Sequence, residues 1–213
     1  MKNILFATMI AASLSALAQD VSLPAPDMNQ PSASVVEALQ KRHSVREYAE
    51  TPLTPQELSN LCWAACGVSR DPEHRTAPTA MNRKEIRLFV FTKDGVFEYD
   101  APANELKKKA EGDHRTLIAG SATGFRQEFA ATAPVSLLIV IDFDRFGSSD
   151  EHASLMCCVD AGNVSENINL YCQAVGLATV PRATHDTDGI RKLLGFTEKQ
   201  LPILNNPVGH PKE

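Results

Sequence analysis

Hydrophobic residues along the chain predict a central, mostly antiparallel sheet. The segment that ends at Ile141 is almost wholly apolar and Asp142 closes it, a pattern typical of a strand buried on both faces. Between residues 85 and 91, the side chains alternate with the period of a strand, and the Asp94-Gly95 pair that follows is typical of a hairpin turn. The predicted strands span residues 85–91, 96–99, 134–141, 179–180 and 203–208.

Apolar residues at helical spacing predict helices among these strands. Thr54 can cap a helix whose first position is Pro55, and Glu57 completes a capping box. In the short helix after Ser34 we expect three apolar residues to face inward, namely Val35, Val36 and Leu39. The predicted helices span residues 34–41, 54–66, 104–109, 122–130, 154–175 and 187–194. Strands and helices that intersperse without an internal repeat predict one α+β domain.

The N-terminus carries a pattern typical of a secretory signal peptide. Lys2 gives the positive start, a short apolar stretch follows, and Ala16-Leu17-Ala18 forms a small-x-small cleavage site. We therefore expect residues 1–18 to be a signal peptide and the protein to be exported, to the periplasm. Residues 19–33 contain three prolines among polar residues and predict a tether. The domain is then expected to span residues 34–213.

Composition excludes several classes of protein. Of the 213 residues, 43% are hydrophobic, which is enough to build a core and argues against wholesale disorder. The formal net charge of −5 and the few aromatic residues argue against a broad nucleic-acid-binding face. After the leader, no stretch is long and apolar enough to be expected to span a membrane.

The five cysteines leave two interpretations open. An odd number in an exported chain leaves at least one thiol unpaired, and their spacing matches no strong metal-site signature. Most simply they are small buried residues, although a disulfide stays possible and no pairing can be assigned. A thiol hydrolase is a further functional hypothesis, since Cys157 and Cys158 lie near a helix start, where the pKa of a thiol falls. The residues concerned are Cys62, Cys66, Cys157, Cys158 and Cys172, with His43, His152 or His185 as a base.

A cluster of cations surrounds a serine between residues 41 and 48. Arg42, Ser44 and Arg46 offer two forked donors and a hydroxyl, and His43 adds an imidazole. A phosphate group prefers such a set, because charge-assisted bidentate bonds combine there with neutral donors. Taken alone, the pattern also fits an ordinary solvated basic turn.

Two further segments carry polar residues in unusual positions. Residues 75–82 are rich in small residues and hydroxyls, which would let a flat ring approach the backbone, and Asn82 could read a lactam edge. An ordinary loop is the alternative. Residues 160–170 place Gly162 and several polar side chains inside a helix, against helix propensity. This favours a tightly packed polar helix, such as one at a subunit interface.

Taken in chain order, four segments resemble the nitroreductase-like FMN-dependent oxidoreductase family. Residues 42–46 match its Arg-x-Ser-x-Arg phosphate motif, and residues 75–82 resemble a segment that runs under the flavin in one branch. Residues 160–170 match its long central helix, and residues 207–211 resemble its closing Val-Gly-Tyr-Pro. The resemblance covers roughly residues 35–211.

The resemblance implies an α+β fold, with a mostly antiparallel sheet of four or five strands flanked by helices. The resemblance also implies a homodimer in which two chains intertwine, with two FMN molecules bound in pockets at the interface between them. The flavin carries the chemistry, so no catalytic side chain and no metal are expected. The cofactor-binding residues implied by the resemblance are Arg42, His43, Ser44, Arg46, Pro78, Thr79, Ala80, Asn82, Pro181, Arg182, Ala183 and Lys212.

The resemblance also implies a ping-pong reaction. A nicotinamide cofactor, NAD(P)H, or another donor would reduce FMN, which would then reduce a small-molecule acceptor such as a nitroaromatic or a quinone. Two departures from the family pattern keep an alternative open. Pro181 has no N–H to donate, and Lys212 stands alone where many relatives carry a basic tail. The alternative is a flavin-binding or carrier module with little turnover.

Overall fold

The computed structural model of the protein describes residues 19–121 and 123–212. The predicted signal peptide, residues 1–18, lies outside the described residues. Among the described helices, none combines the length and the apolarity that crossing a membrane would require.

The sheet has seven strands and every pairing in it is antiparallel. The strand order is β1-β4-β3-β2-β5-β7-β6. The expected four or five strands were therefore too few, because the short edge strand β1 and the strand β4 were not predicted as strands, whereas β6 overlaps the strand predicted at 179–180. The strands are β1 Val21–Ser22, β2 Ile86–Thr92, β3 Gly95–Asp100, β4 Glu105–Glu111, β5 Val135–Asp142, β6 Ala178–Thr179 and β7 Gln200–Gly209.

Helices cover both faces of this sheet. The predicted capping box at Thr54 is confirmed, and the longest helix ends at Gly176 in the left-handed conformation, as predicted, but begins three residues earlier than expected. The helices are α1 Val35–Lys41, α2 Pro55–Cys66, α3 Thr116–Ala119, α4 Phe129–Thr132, α5 Phe143–Phe146, α6 Glu151–Val175 and α7 Thr187–Leu194. A 3-10 turn spans Ala80–Asn82.

Strand β5 divides the core into two layers. All eight of its residues are buried, and it pairs with β2 on one side and β7 on the other. Leu137 and Ile139 face helices α2 and α6, whereas Leu138 and Val140 face α3, α4 and α7. The near-continuous apolar sequence of β5 is explained by this double coverage.

Three predictions about local structure were wrong. Residues 104–109 form strand β4 rather than a helix, since residues 105–111 pair with β3 along their length. Of the helix predicted over 122–130, the described part is helical only from Phe129. In α1 the apolar side chains do not face inward: the exposed ones are Val35 at 69%, Val36 at 65% and Leu39 at 57%.

The proline-rich segment predicted as a tether lies against the domain. Its β1 pairs with the edge of β4, Asn104 Nδ2 donates to Pro24 O at 2.8 Å, and Asp27 N donates to Asn60 Oδ1 at 2.8 Å. Tyr171 on α6 donates to Gln30 at 3.0 Å. The segment is therefore fixed at several points by hydrogen bonds to buried or half-buried side chains.

Asn104 is the main anchor of this segment, and its replacement tests the docking. The Asn104 side chain also donates to Ser59 Oγ at 3.1 Å and accepts from Tyr99 Oη at 2.9 Å. Asn104→Ala should lower the free energy of unfolding by about 2 kcal/mol, because partly buried partners lose their bonds. Urea denaturation measures the change. The exposed Asn29→Ala is the control, and an equal effect of the two substitutions would contradict this assignment.

Candidate functional site

A cationic segment directly follows helix α1. Arg42, Ser44 and Arg46 are all exposed, and their side chains make no hydrogen bond or ion pair with another described residue. The ring of His43 contacts Lys41 O at 2.9 Å. The segment thus presents two guanidinium groups and a hydroxyl that intramolecular bonds leave free, which is the donor set that a phosphate group needs.

The backbone of this segment is fixed from the core side. Val45 N donates to Thr179 O at 3.0 Å, and the buried Tyr48 donates through Oη to Val45 O at 3.0 Å. Burial raises the pKa of Tyr48, so its hydroxyl keeps its proton, while the nearby positive charges of Arg182 and Arg46 oppose the rise. The segment therefore has a fixed path in an electropositive corner.

The C-terminus reaches the same corner. Ala49 N donates to His210 O at 2.9 Å, and Tyr48 forms a β-bridge with Pro211. The exposed Lys212 follows directly, so a third cation lies close to the Arg46 segment in space although it is far away in sequence.

Within the segment 181–183, Arg182 offers little hydrogen bonding to a ligand, because its groups bond to other parts of the chain. Its N–H and C=O both bond to the backbone of Asn205, at 2.8 and 2.7 Å. Its buried guanidinium donates to Gln127 Oε1 at 2.8 Å, to Asn205 Oδ1 at 2.8 Å and to two carbonyls at the end of α3. Arg182 thus organises the surrounding loops, and only its neighbours Pro181 and Ala183 are exposed.

The second predicted segment lines a cavity of about 430 Å³. Its walls come from the chain between α2 and β2: Arg70, His74, Arg75, Thr76, Ala77, Pro78, Thr79 and Asn82. Asn82 is exposed, and Ala80 lies at the rim of the same loop. A flat ring could reach backbone along residues 76–79, because the lining side chains there are small.

The loop beyond this cavity is strained. Met81, Asn82 and Lys84 all have φ between 52° and 54°, and residues other than glycine seldom adopt such values. Strain of this kind costs about 1–3 kcal/mol per residue and persists only where surrounding bonds impose it. One such bond comes from α6, since Ala80 N donates to Asp160 Oδ2 at 2.6 Å. The Asp160 carboxylate on α6 therefore holds the loop from below.

The structure does not join the two predicted halves of the site within one chain. Residues 42–46, 181–183 and 212 meet at the corner near Tyr48, while residues 75–82 form a separate cavity, and no hydrogen bond between described residues links the two. The free donors at the corner fit a phosphate, and the small-residue cavity fits a flat ring. The donor set as a whole suits FMN, divided between two half-sites.

Sequence reasoning missed Glu85, which is completely buried beside Asp160. The only signal in the sequence was an acidic residue at the head of an apolar strand, and such a residue usually lies at a solvated strand end. Tyr48 was also missed as an anchor, because its partners Pro207 and Pro211 are far away in sequence.

The thiols do not support the hydrolase hypothesis. All five cysteines are unpaired, and no hydrogen bond between described residues joins a cysteine to a histidine. Burial raises the pKa of Cys62 far above its usual value, raises those of Cys66 and Cys157 to about 12, and raises that of Cys172 as well. Protonated thiols of this kind are poor nucleophiles.

Comparison with known proteins adds to this geometry. The family model described as Nitroreductase family matches residues 39–210. A protein of Methanocaldococcus jannaschii that is named as a candidate nitroreductase is 29% identical over 200 residues, which cover 88% of this chain and 96% of that protein.

Solved structures agree with the fold. A candidate nitroreductase of Ralstonia eutropha superposes with a TM-score of 0.82 at 28% identity, covering 92% of this chain and 91% of that one. A protein of Parabacteroides distasonis, named as a candidate NADH dehydrogenase/NAD(P)H nitroreductase, superposes with a TM-score of 0.59 at 18% identity, covering 84% and 88%. At that lower identity the likeness concerns the fold alone.

The buried Arg182 gives a test of how this site is built. Arg182→Leu should lower the free energy of unfolding by about 3–5 kcal/mol, because it leaves Gln127, Asn205 and the end of α3 without their donor. Thermal and urea unfolding measure the loss. Arg83→Leu is a matched control on an exposed arginine, and a similar small change in both variants would refute the anchoring role.

Proposed function

We infer that this chain, which belongs to the nitroreductase family and is therefore an oxidoreductase, binds FMN and uses it to pass electrons to a small acceptor. The observation that carries this proposal is the free donor set of Arg42, Ser44 and Arg46, exposed on a backbone fixed by Tyr48. The visible spectrum of the purified protein tests it. A preparation that stays colourless after incubation with FMN would refute it.

The corner near Tyr48 would hold the phosphate end of FMN. The two guanidinium groups give bidentate charge-assisted bonds, the Ser44 hydroxyl adds a neutral donor, and Lys212 contributes a third positive charge that screening would weaken. His43 lies beside them at the surface. The fixed path of the backbone means that little ordering of the segment has to accompany binding.

The loop from Pro78 to Asn82 would lie along the flavin ring. Pro78, Thr79 and Ala80 leave room for a flat ring, and the Asn82 amide offers both a donor and an acceptor to the lactam edge. From the other half-site, the exposed Ala183 N–H is free to donate, whereas Pro181 has no N–H and Arg182 N–H is already committed to Asn205.

FMN bound in this way would accept a hydride from a reduced nicotinamide cofactor, or electrons from another donor, and pass them to a nitroaromatic, a quinone or a similar acceptor in ping-pong order. The chain's own contribution is to bind and orient the cofactor and to place positive donors near it. Such donors stabilise negative charge as it develops. An exported protein would meet its donor in the periplasm, and that location stays a prediction from the sequence.

The active form proposed here is a homodimer. Helix α1 exposes Val35, Val36 and Leu39, and α6 exposes Leu155 at 64% and Val159 at 57%, one helical turn apart. Exposed apolar side chains concentrated on two helices are typical of a protein interface. A second copy would cover them and could supply the cavity half-site that each corner lacks.

A flavin carrier with little turnover is the second candidate. The observation that favours it is the scarcity of donors in segment 181–183, where one N–H is absent and another is committed. Stopped-flow reduction of the FMN-loaded protein by NADH or NADPH, followed by mixing with a quinone, separates the two. Fast reduction and reoxidation favour the enzyme, and slow exchange of electrons favours the carrier.

The phosphate assignment predicts a loss of affinity in Arg42→Ala. FMN binding should weaken by about 1.5–3 kcal/mol, because a charge-assisted hydrogen bond is lost. Fluorescence titration of the apoprotein with FMN measures it. Lys93→Ala removes an exposed cation from the β2–β3 turn and should leave the affinity unchanged. If Arg42→Ala behaves like this control, the assignment is wrong.

The dimer assignment predicts that polar side chains on α6 separate the subunits. The double variant Leu155→Ser, Val159→Ser should sediment as a monomer and should bind FMN more weakly by at least about tenfold, a change of ~1.4 kcal/mol. Analytical ultracentrifugation and titration measure the two effects. Val21→Ser, at an exposed apolar residue of β1, is the control. A variant that remains dimeric, or a wild-type monomer, would refute the interface.

A further inference from the structure

The most unusual group in the core is the carboxyl of Glu85, at the head of β2. Its side chain has no exposed surface, and neither of its oxygens receives a hydrogen bond from a donor in the described residues. The carboxyl of Asp160 on α6 lies beside it and is only 5% exposed. A buried acid without a donor is costly unless it is neutral.

One shared proton resolves this arrangement. Asp160 Oδ2 accepts the Ala80 N–H at 2.6 Å, and the carboxyl group has capacity to accept a further hydrogen bond. A protonated Glu85 can then donate its O–H to Asp160, so that both carboxyl groups have a partner. Burial, reinforced by the neighbouring Asp160, raises the pKa of Glu85 to about 7.

No cation among the described groups compensates the pair. Cys157 faces Glu85 from α6, and burial keeps that thiol protonated by raising its pKa. From β5, Asp142 approaches through its backbone N–H, which donates to Glu85 O at 3.0 Å, while its carboxylate pairs with Arg87. The flanking Lys84 is committed to Glu73 at 2.7 Å.

The pair lies directly beneath the strained loop. Ala80 opens the turn that contains Met81 and Asn82, and the loop returns through Lys84 to Glu85 itself. Lys84 N also donates to Thr79 Oγ1 at 3.1 Å, which closes the loop at its base. Two buried carboxylates without a proton would repel each other at the point where the loop is held.

We propose that Glu85 and Asp160 share one buried proton and act as positioning residues, which keep residues 79–84 in the shape that faces the flavin ring. This inference rests on the proposed function for the ring contact, although the shared proton and the loop do not depend on it. At mildly alkaline pH the shared proton should be released, and the contact that keeps residues 79–84 in place should weaken.

The direction of the pH effect follows from linkage. The acid binds its proton more tightly in the folded than in the unfolded protein, so its contribution to stability is complete below the unfolded pKa of Glu, about 4.3. That contribution is lost as the pH rises through the folded pKa of about 7. Glu85→Gln donates an amide N–H to Asp160 without titrating and should abolish this part of the profile.

The first experiment uses the apoprotein and compares wild type with Glu85→Gln between about pH 5.5 and about pH 8.5. Wild type should show an infrared carbonyl band of a protonated carboxylic acid that fades with rising pH, and a Tm that falls by about 5–10 °C over the range. Glu85→Gln should lack the band, and its Tm should fall less. Glu73→Gln, an exposed acid that pairs with the same loop, should behave as wild type.

Amide hydrogen exchange then measures how firmly the loop of residues 79–84 is held. At the upper end of this pH range, residues 79–84 should exchange at least about tenfold faster in wild type than in Glu85→Gln, and at the lower end the two should agree. Absence of the carboxylic band in wild type, its persistence in Glu85→Gln, or equal exchange at both pH values would overturn the proposal.

FMN titration separates this inference from the proposed function. If wild type binds FMN more weakly as the pH rises while Glu85→Gln keeps its affinity, the ring contact is supported. The same pH dependence in both variants would overturn it. If neither protein binds FMN at any pH, the proposed function and the ring contact fail together, and the infrared and exchange results still decide whether the shared proton holds the loop.

Discussion

The burial of β5 on both faces and at both edges is the constraint from which the rest of the structure follows. A strand in this position needs neighbours on either side and a helical layer above and below, and the chain supplies β2, β7 and the helices accordingly. Helix α6 covers one face along most of its 25 residues. It also carries polar side chains into the interior, and each of these must find a partner there.

Those buried polar groups connect the core to the surface loops. Ser165 donates to Asn206 Oδ1 at 2.9 Å, Asn205 holds Arg182, and Asp160 holds Ala80. The first pair joins α6 to β7, and the other two reach from a regular element to a segment that borders a candidate half-site. Loop positions that would otherwise be mobile are therefore fixed by bonds whose loss would leave an unpaired group in a nonpolar interior, and this gives binding loops a rigid foundation.

How much of this could be read from the sequence depends on how local the signal was. The capping box at Thr54 and the apolar run of β5 are local features, and both lie where their patterns indicated. The cations of residues 42–46 are also a local feature of the sequence and are exposed, while their role stays a prediction. Strand β4 was missed because three consecutive lysines have good helix propensity, while its strand form depends on pairing with β3. The contact of Glu85 with Asp160 joins residues that are 75 positions apart, and no local rule predicts it.

The docking of β1 on β4 also has a consequence for the order of folding. Pro24 and its partner Asn104 are 80 residues apart in the chain, so this contact closes a long loop and cannot form before β4 is in place. Until then the outer edge of β4 is an open template for another chain. Lys107, Lys108 and Lys109 lie on that edge strand, where charge discourages unwanted pairing. The run of lysines, which led the sequence pattern to be interpreted as a helix, thus protects the strand from aggregation while the chain is still folding.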